Sequence, residues 1–235
     1  MANNTKNSNM VVGLDIGTSK VVCIVGKYNE SNKLEIISLG SYPSSGLKKG
    51  VVVNIDATTD AIKKAVEQAQ SMIEEKINSV YVGIAGNHIK SLNSQGAVGI
   101  KDKEVTPFDI DRVIDSAQAV SIPSDQNVLH VLPQEYVIDN QEVSLDPLGM
   151  AGVRLEAKVH LVTCANSAIK NIEKCIKNCG LAVDGFVLEQ LASSHSILSE
   201  DEKELGVCLV DIGGGTTGGT SGGFIGGGGG GSTKW

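Results

Sequence analysis

Between Val11 and Lys20 the chain reads Val-Val-Gly-Leu-Asp-Ile-Gly-Thr-Ser-Lys. A short apolar run ends in an acid, and a glycine, two hydroxyls and a lysine follow at once. A glycine turn exposes backbone N–H groups, and hydroxyls and an ammonium add donors, so this stretch has the chemistry of a phosphate cradle. Asp15, at the end of the apolar run, is a carboxylate suited to holding Mg²⁺ through water. Alone, the same residues describe an ordinary β-hairpin.

A second copy stands near the other end. Gly206 to Thr217 reads Gly-Val-Cys-Leu-Val-Asp-Ile-Gly-Gly-Gly-Thr-Thr. It is again an apolar run, Asp-Ile-Gly and hydroxyls. Internal repetition of one turn points to two like halves that grip one phosphate chain from opposite sides.

The elements that must position these turns can be read from periodicity. Val11–Gly17, Val21–Lys27 and Leu34–Tyr42 alternate as three strands, and Pro43–Gly50 is a surface loop before the short extended piece Val51–Ile55. Asp56 is the expected cap of a helix whose apolar face is Ile62, Ala65, Val66, Ala69, Ile73 and Ile77. Val80–Ala85 is a buried strand ended by Gly86. The texture then changes. Ile89–Ile100 reads as strands turning at Gly96, Thr106-Pro107-Phe108-Asp109 as a capped helix start, and Val128–Ile138 and Val153–Val162 as strands. This is an α+β insert without a phosphate turn. Asn166 caps a helix to Cys179 with Gly180 as its stop. Leu181–Leu188 is a strand, Glu189 opens the next helix, and Val207–Ile212 enters the second turn.

The pair of turns resembles the phosphate loops of the actin/Hsp70/sugar-kinase ATPase superfamily. Within it, Val51–Asp56, Ser79–His88, Val128–Asp139, Gly152–Asn166, Leu191–Leu198 and Asp201–Thr217 resemble the FtsA family of bacterial cell-division proteins. The resemblance implies an α/β, actin-like (ribonuclease-H-like) fold. Its parts would be a subdomain 1A over 11–88 and 165–205, an inserted α+β subdomain 1C over 89–164, and the first strand and turn of a second half over 206–217. It implies ATP and Mg²⁺ as cofactors. Asp15, Gly17, Thr18, Ser19, Lys20, Asp211, Gly213, Gly214, Gly215, Thr216 and Thr217 would hold them, with Asp15 and Asp211 in the metal's water shell. Glu189 falls where relatives place an acid that orients the attacking water; a first-turn acid favoured by the helix dipole is the alternative. The family anchors the FtsZ ring to the inner face of the cell membrane, recruits division proteins and self-associates into filaments. Any ATPase activity would be slow, with nucleotide as a polymerisation switch. A pilus-assembly ATPase, a sugar kinase, a chaperone, or a protein-interaction piece that binds no ATP are the other readings.

Composition narrows the field. The net charge is −7 with no basic block, and aromatics make up 3%, so nucleic acid is disfavoured as main partner. The cysteines, Cys23, Cys164, Cys175, Cys179 and Cys208, form no C-x-x-C pair and fit a reducing cytoplasm. His160, Cys164, Cys175 and Cys179 could be read as zinc ligands. However, Cys175 and Cys179 stand four apart on a helix with Ala168, Ile169, Ile172 and Ile176, which favours small core residues. Glu135, His130 and His160 on alternating strands are expected on a wet face or in a local hydrogen bond rather than in catalysis. Residues 1–10 read as a loose arm, and no apolar run is long enough to span a membrane.

After Thr217 the resemblance stops. Ten of the last 18 residues are glycine, a composition that cannot offset its ordering entropy. Residues 218–235 are therefore expected to be a linker, an appended scar or a frameshifted end. A truncated second half would lack the adenosine loop, the principal FtsZ-binding surface and the membrane helix that the family carries, and would leave Val207–Ile212 as an edge.

Overall fold

The computed structural model describes residues 9–143, 146–215, 217–221 and 232–234. The strands are β1 (Met10–Ile16), β2 (Lys20–Tyr28), β3 (Leu34–Pro43), β4 (Leu47–Lys48), β5 (Val51–Val52), β6 (Ser79–Ile84), β7 (Ile89–Gly99), β8 (Gln126–Ile138), β9 (Gln141–Val143), β10 (Arg154–Ala165), β11 (Ala182–Leu188), β12 (Cys208–Ile212), β13 (Thr217–Ser221) and β14 (Ser232–Lys234). The helices are α1 (Ile55–Gln70), α2 (Pro107–Gln118), α3 (Asn166–Asn178), α4 (Glu189–Ile197) and α5 (Glu200–Leu205). The chain divides into two compact units: residues 1–87, 167–189 and 212–217, and residues 88–166, 190–211 and 218–235.

The first unit is built on a five-stranded sheet in the order β11-β6-β1-β2-β3. β1, β2 and β3 form an antiparallel meander, whereas β1, β6 and β11 run parallel. Alternation puts Val12, Leu14 and Ile16 of β1 on the same face as Val25, Cys23 and Val21 of β2, and all six are buried. Ile62, Ala65 and Ala69 of α1 cover this face, as their 3.6-residue spacing requires. Each large side chain buried this way contributes about 1.5–3 kcal/mol. The helix comes so close to β3 that a Cβ at Gly40 would collide with the Ala65 carbonyl, and the Ser38 hydroxyl donates to the Ala69 carbonyl at 2.6 Å. α3 lies beside α1: the thiols of Cys175 and Cys179 reach the carbonyls of Ile55 and Thr59 at 3.7 and 3.5 Å. Cys175 is thus a buried filler of the helix pair.

The second unit holds the sheet β7-β10-β8-β9, all antiparallel, with α2 packed on one face. Its core is Ile100, Val105, Val113, Ala117, Tyr136, Ile138, Leu155, Ala157, Val159 and Leu161. The opposite face carries Glu135 paired with Lys158 at 2.9 Å. His160 is buried there, its Nδ1 2.7 Å from the Asn93 side-chain oxygen.

Four local expectations change. Ile89–Gly99 is one continuous strand rather than strands turning at Gly96: this glycine lies under α2, where a Cβ would collide with the Val113 carbonyl and the Ala117 amide. Asn54, not Asp56, caps α1, accepting from the Ala57 N–H at 3.0 Å. α1 also stops at Gln70, so Ile73 and Ile77 lie beyond it, although Ile77 is buried. The Asn166 side chain donates to the Ser124 carbonyl at 3.0 Å and does not cap its own helix. Thr106 does cap α2, with Pro107 in the first turn and a reciprocal bond between the Thr106 amide and Asp109.

β12, β13 and β14 form a three-stranded sheet, so Cys208–Ile212 has a neighbour, and the tail expected to be irregular contributes two short strands. Residues 222–231, and 1–8 of the expected arm, lie outside the described residues. Among the described residues, no helix is long and apolar enough to cross a membrane.

Gly96→Ala is expected to destabilise the protein by about 1–3 kcal/mol through overpacking against α2. Gly99→Ala on the same strand, with nothing within 4 Å of its Cβ position, should stay within about 0.5 kcal/mol. Urea unfolding separates the two.

The hydroxyl of Thr106, its amide and Arg112 hold the Asp109 carboxyl below the usual carboxylate range. A depressed pKa stabilises the fold at any pH above the unfolded value and loses that contribution as pH falls through the folded one. The melting temperature should therefore drop below about pH 4, and Asp109→Asn should flatten that part of the profile.

Candidate functional site

The parallel strands β1, β6 and β11 deliver their carboxyl ends to one edge of the first unit's sheet. In open α/β sheets that edge is where ligands bind. Gly17 follows β1, Ala85 follows β6 and Glu189 follows β11. The β1–β2 turn is closed by the Gly17 N–H donating to the Lys20 carbonyl at 3.0 Å, and it is tied to the end of β3 by the Ser44 N–H donating to the Ser19 carbonyl at 3.0 Å. Gly17 is required here by closeness rather than by a left-handed backbone: a Cβ would sit 2.9 Å from the Lys20 carbonyl oxygen.

The second glycine turn lies on the first. A Cβ at Gly215 would stand 2.6 Å from the Thr18 methyl and 2.7 Å from its hydroxyl, and one at Gly214 would collide with the Ser19 hydroxyl. Only residues without side chains can approach so closely. The Thr18 hydroxyl is buried and has no hydrogen-bond partner among the described residues.

Beside this contact is a cavity of about 20 Å³, the size of one water. Gly17, Thr18, Gly83, Gly50, Ile172 and Glu189 are among its lining residues. Glu189 leans over Gly83, whose Cβ position is 3.1 Å from the Glu189 Cγ and 3.6 Å from a carboxylate oxygen.

The structure therefore brings together Thr18, Ser19, Gly214 and Gly215, with Gly17 and Glu189 at the adjoining cavity. Gly213 precedes that contact and is exposed. Asp15 and Lys20 are exposed at the two ends of the first turn. Asp211 is half-buried on β12 and belongs to the second unit. Thr217 begins β13, and Thr216 lies outside the described residues.

Two contributors escaped the reading of the sequence. Gly50 adopts φ +75° and abuts the Ala85 carbonyl, and Gly83 makes room for Glu189. A glycine between Val82 and Ile84, inside a buried strand, was the available signal for the second. Burial pushes the thiols of Cys23, Cys164 and Cys179 up to about 11, so none supplies a thiolate at neutral pH.

Comparison with known proteins bears on both units. Residues 86–163 match the SHS2 domain inserted in FtsA. The cell division protein FtsA of Pseudomonas aeruginosa is 64% identical over 212 residues, covering 90% of this chain and 51% of that protein. The chain is a homologue of cell division protein FtsA. The Neisseria meningitidis FtsA is 54% identical over 204 residues and the Escherichia coli K12 FtsA 47% over 207. The chain spans about half the length of the curated relatives it matches. Among solved structures, a PilM–PilN type IV pilus biogenesis complex superposes with a TM-score of 0.64 at 15% identity, over 90% of this chain and 57% of the other. The fold is thus the actin-like α/β fold, shared with that pilus structure, and it carries an insert that matches the SHS2 domain of FtsA.

Gly83→Ala should cost about 1 kcal/mol in the wild-type background, because the new methyl meets the Glu189 stem. The cost should largely vanish when Glu189 is also alanine. A double-mutant cycle by denaturant unfolding measures that coupling.

Proposed function

We propose that this chain forms the phosphate-gripping part of an actin-like, ATP-binding cell-division protein, with nucleotide acting as a conformational and polymerisation switch. The observation that carries the reading is the seating of the Gly214–Gly215 turn on Thr18 and Ser19, at the carboxyl ends of parallel strands. The donor chemistry fits a phosphate chain with Mg²⁺. The buried Thr18 hydroxyl lacks a partner among the described residues, Ser19 adds a second hydroxyl, and the glycines offer bare backbone. Gly17, Thr18, Ser19, Gly213, Gly214, Gly215, Thr216 and Thr217 would surround phosphate oxygens, with Lys20 neutralising charge and Asp15 and Asp211 in the metal's water shell.

ATP with Mg²⁺ supplies a polyanion that both turns can hold at once, and whose loss of one phosphate a switch can read. The chain's own task is to open for it. A water-sized cavity is too small for a phosphate, so the second turn must part from Thr18 and Ser19. The Glu189 carboxylate, lining that cavity, would orient a water and support slow hydrolysis. In the cell, this reading places the protein at the inner face of the membrane at the division site, with FtsZ, other division proteins and further copies of itself as partners. The closeness of the two turns, which leaves no space between them for a phosphate, favours a second reading: a protein-interaction piece that binds no nucleotide.

Titration of labelled ATP with Mg²⁺ by equilibrium dialysis decides between them. Micromolar or tighter binding is expected, weakened by at least about tenfold in Gly215→Val. Glu189→Gln should leave affinity within about threefold and slow hydrolysis by about a hundredfold. No binding at millimolar ATP overturns the nucleotide reading and supports the second.

A further inference from the structure

β4 and β5 form a hairpin that is held at both ends. Lys48 pairs with Val51, so the loop is the two residues Lys49 and Gly50. Their φ angles are +52° and +75°, the double left-handed backbone of a type I′ turn. At the root, the Gly46 carbonyl accepts from the Val53 and Asn54 N–H groups at 2.8 and 3.1 Å, and Asn54 caps α1. At the tip, Gly50 abuts the Ala85 carbonyl, just past the end of β6. The hairpin belongs to the first unit, and its Leu47 and Gly50 line the same small cavity as Gly17, Thr18 and Glu189.

The tip carries a residue that its turn does not call for. Asn, Asp or Gly takes this backbone more readily, and a lysine with positive φ is uncommon. Lys49 is exposed, and none of the ion pairs among the described residues includes it. Glu189 is the one charged residue among those lining the cavity. A phosphate brought beside that carboxylate meets a like charge, so a cation is needed there. Lys49 precedes Gly50, about 3.8 Å away along the backbone, and its four-carbon stem extends that reach. Lys48 alternates with Leu47 and therefore stands on the other face of the hairpin.

We propose that Lys49 reads the terminal phosphate of a bound nucleoside triphosphate, so that this hairpin is what tells ATP from ADP. The inference rests on the nucleotide reading above, in which Glu189 orients the water beside that phosphate. The two glycine turns and Lys20 hold phosphates that ATP and ADP share. Lys49 pairs with the charge that hydrolysis removes. Because root and tip are already fixed, little ordering is needed before the ammonium meets its phosphate.

Equilibrium dialysis of the 235-residue chain against labelled ATP and labelled ADP, each with Mg²⁺, gives two dissociation constants. ATP should bind at least about tenfold more tightly than ADP. Lys49→Gly suits the left-handed backbone and removes the ammonium, so the fold is kept. It should weaken ATP by about tenfold and leave ADP within about twofold, whereas Lys49→Arg and Lys48→Ala should keep the preference for ATP. Equal losses for ATP and ADP, no loss at all, or the same loss in Lys48→Ala overturns the proposal. Acetylation of the unaltered chain, mapped by mass spectrometry, gives a measure that does not need ATP to bind. Inorganic tripolyphosphate, compared with sulfate at equal ionic strength, should slow modification of Lys49 at least about threefold. Lys33, between β2 and β3 at the far end of the sheet, should be unaffected. Shielding of Lys49 in a chain that binds no ATP removes the nucleotide reading and supports Lys49 as a polyphosphate ligand. ATP binding that leaves Lys49 equally reactive keeps the nucleotide reading and overturns this inference. A chain that binds no ATP and whose Lys49 is not shielded by tripolyphosphate overturns both.

Discussion

Three parallel strands that end at one edge of a single sheet are the constraint from which the rest of the first unit follows. Parallel neighbours cannot be joined by a tight turn, so each connection must cross a face of the sheet. The handedness of such crossings sends α1 and α3 over the same face, where they meet through Cys175 and Cys179. The same geometry gathers Gly17, Ala85 and Glu189 at one edge. The site is thus the result of one topological choice.

Glycine makes that choice physically possible, in two different ways. At Gly40 and Gly96 it lets a helix backbone rest on a strand without a side chain between them. At Gly17, Gly214 and Gly215 it lets one turn approach another within the reach of hydroxyls. Left-handed backbone, the usual reason for a turn glycine, applies to Gly50 and Gly180 but not to Gly17. The turn's chemistry depends on absent methyl groups more than on unusual dihedral angles.

Much of this was legible in the residues. Period-2 and period-3.6 alternation marked β1, β2, β3, β6, α1 and α3, because each has one buried face. The capping box at Thr106 was legible because it is written in residue type. Gly96 was misread because a strand glycine under a helix and a turn glycine look alike until the helix is placed. Asp56 reads as a cap by residue type, but Asn54 two residues earlier is equally suited, and only backbone conformation settles where the helix begins. For the site, types and spacing named the two turns, but the positions of Gly83 and Gly50 depend on contacts between distant segments that no local pattern encodes.

The two turns are not held equally, and that bears on how the site can open. The first lies between strands whose alternate residues Ile16 and Val21 are buried, and two backbone hydrogen bonds fix it. The second follows β12, where Val210 is 58% and Ile212 78% exposed. A segment with little buried apolar surface opens at low cost, whereas one rooted in a core opens only with the core. The energy of separating Gly214 and Gly215 from Thr18 and Ser19 therefore falls on the second turn. The first turn is the anchored one, with Glu189 and Gly83 set beside it, and the glycine turn is the one whose approach can vary.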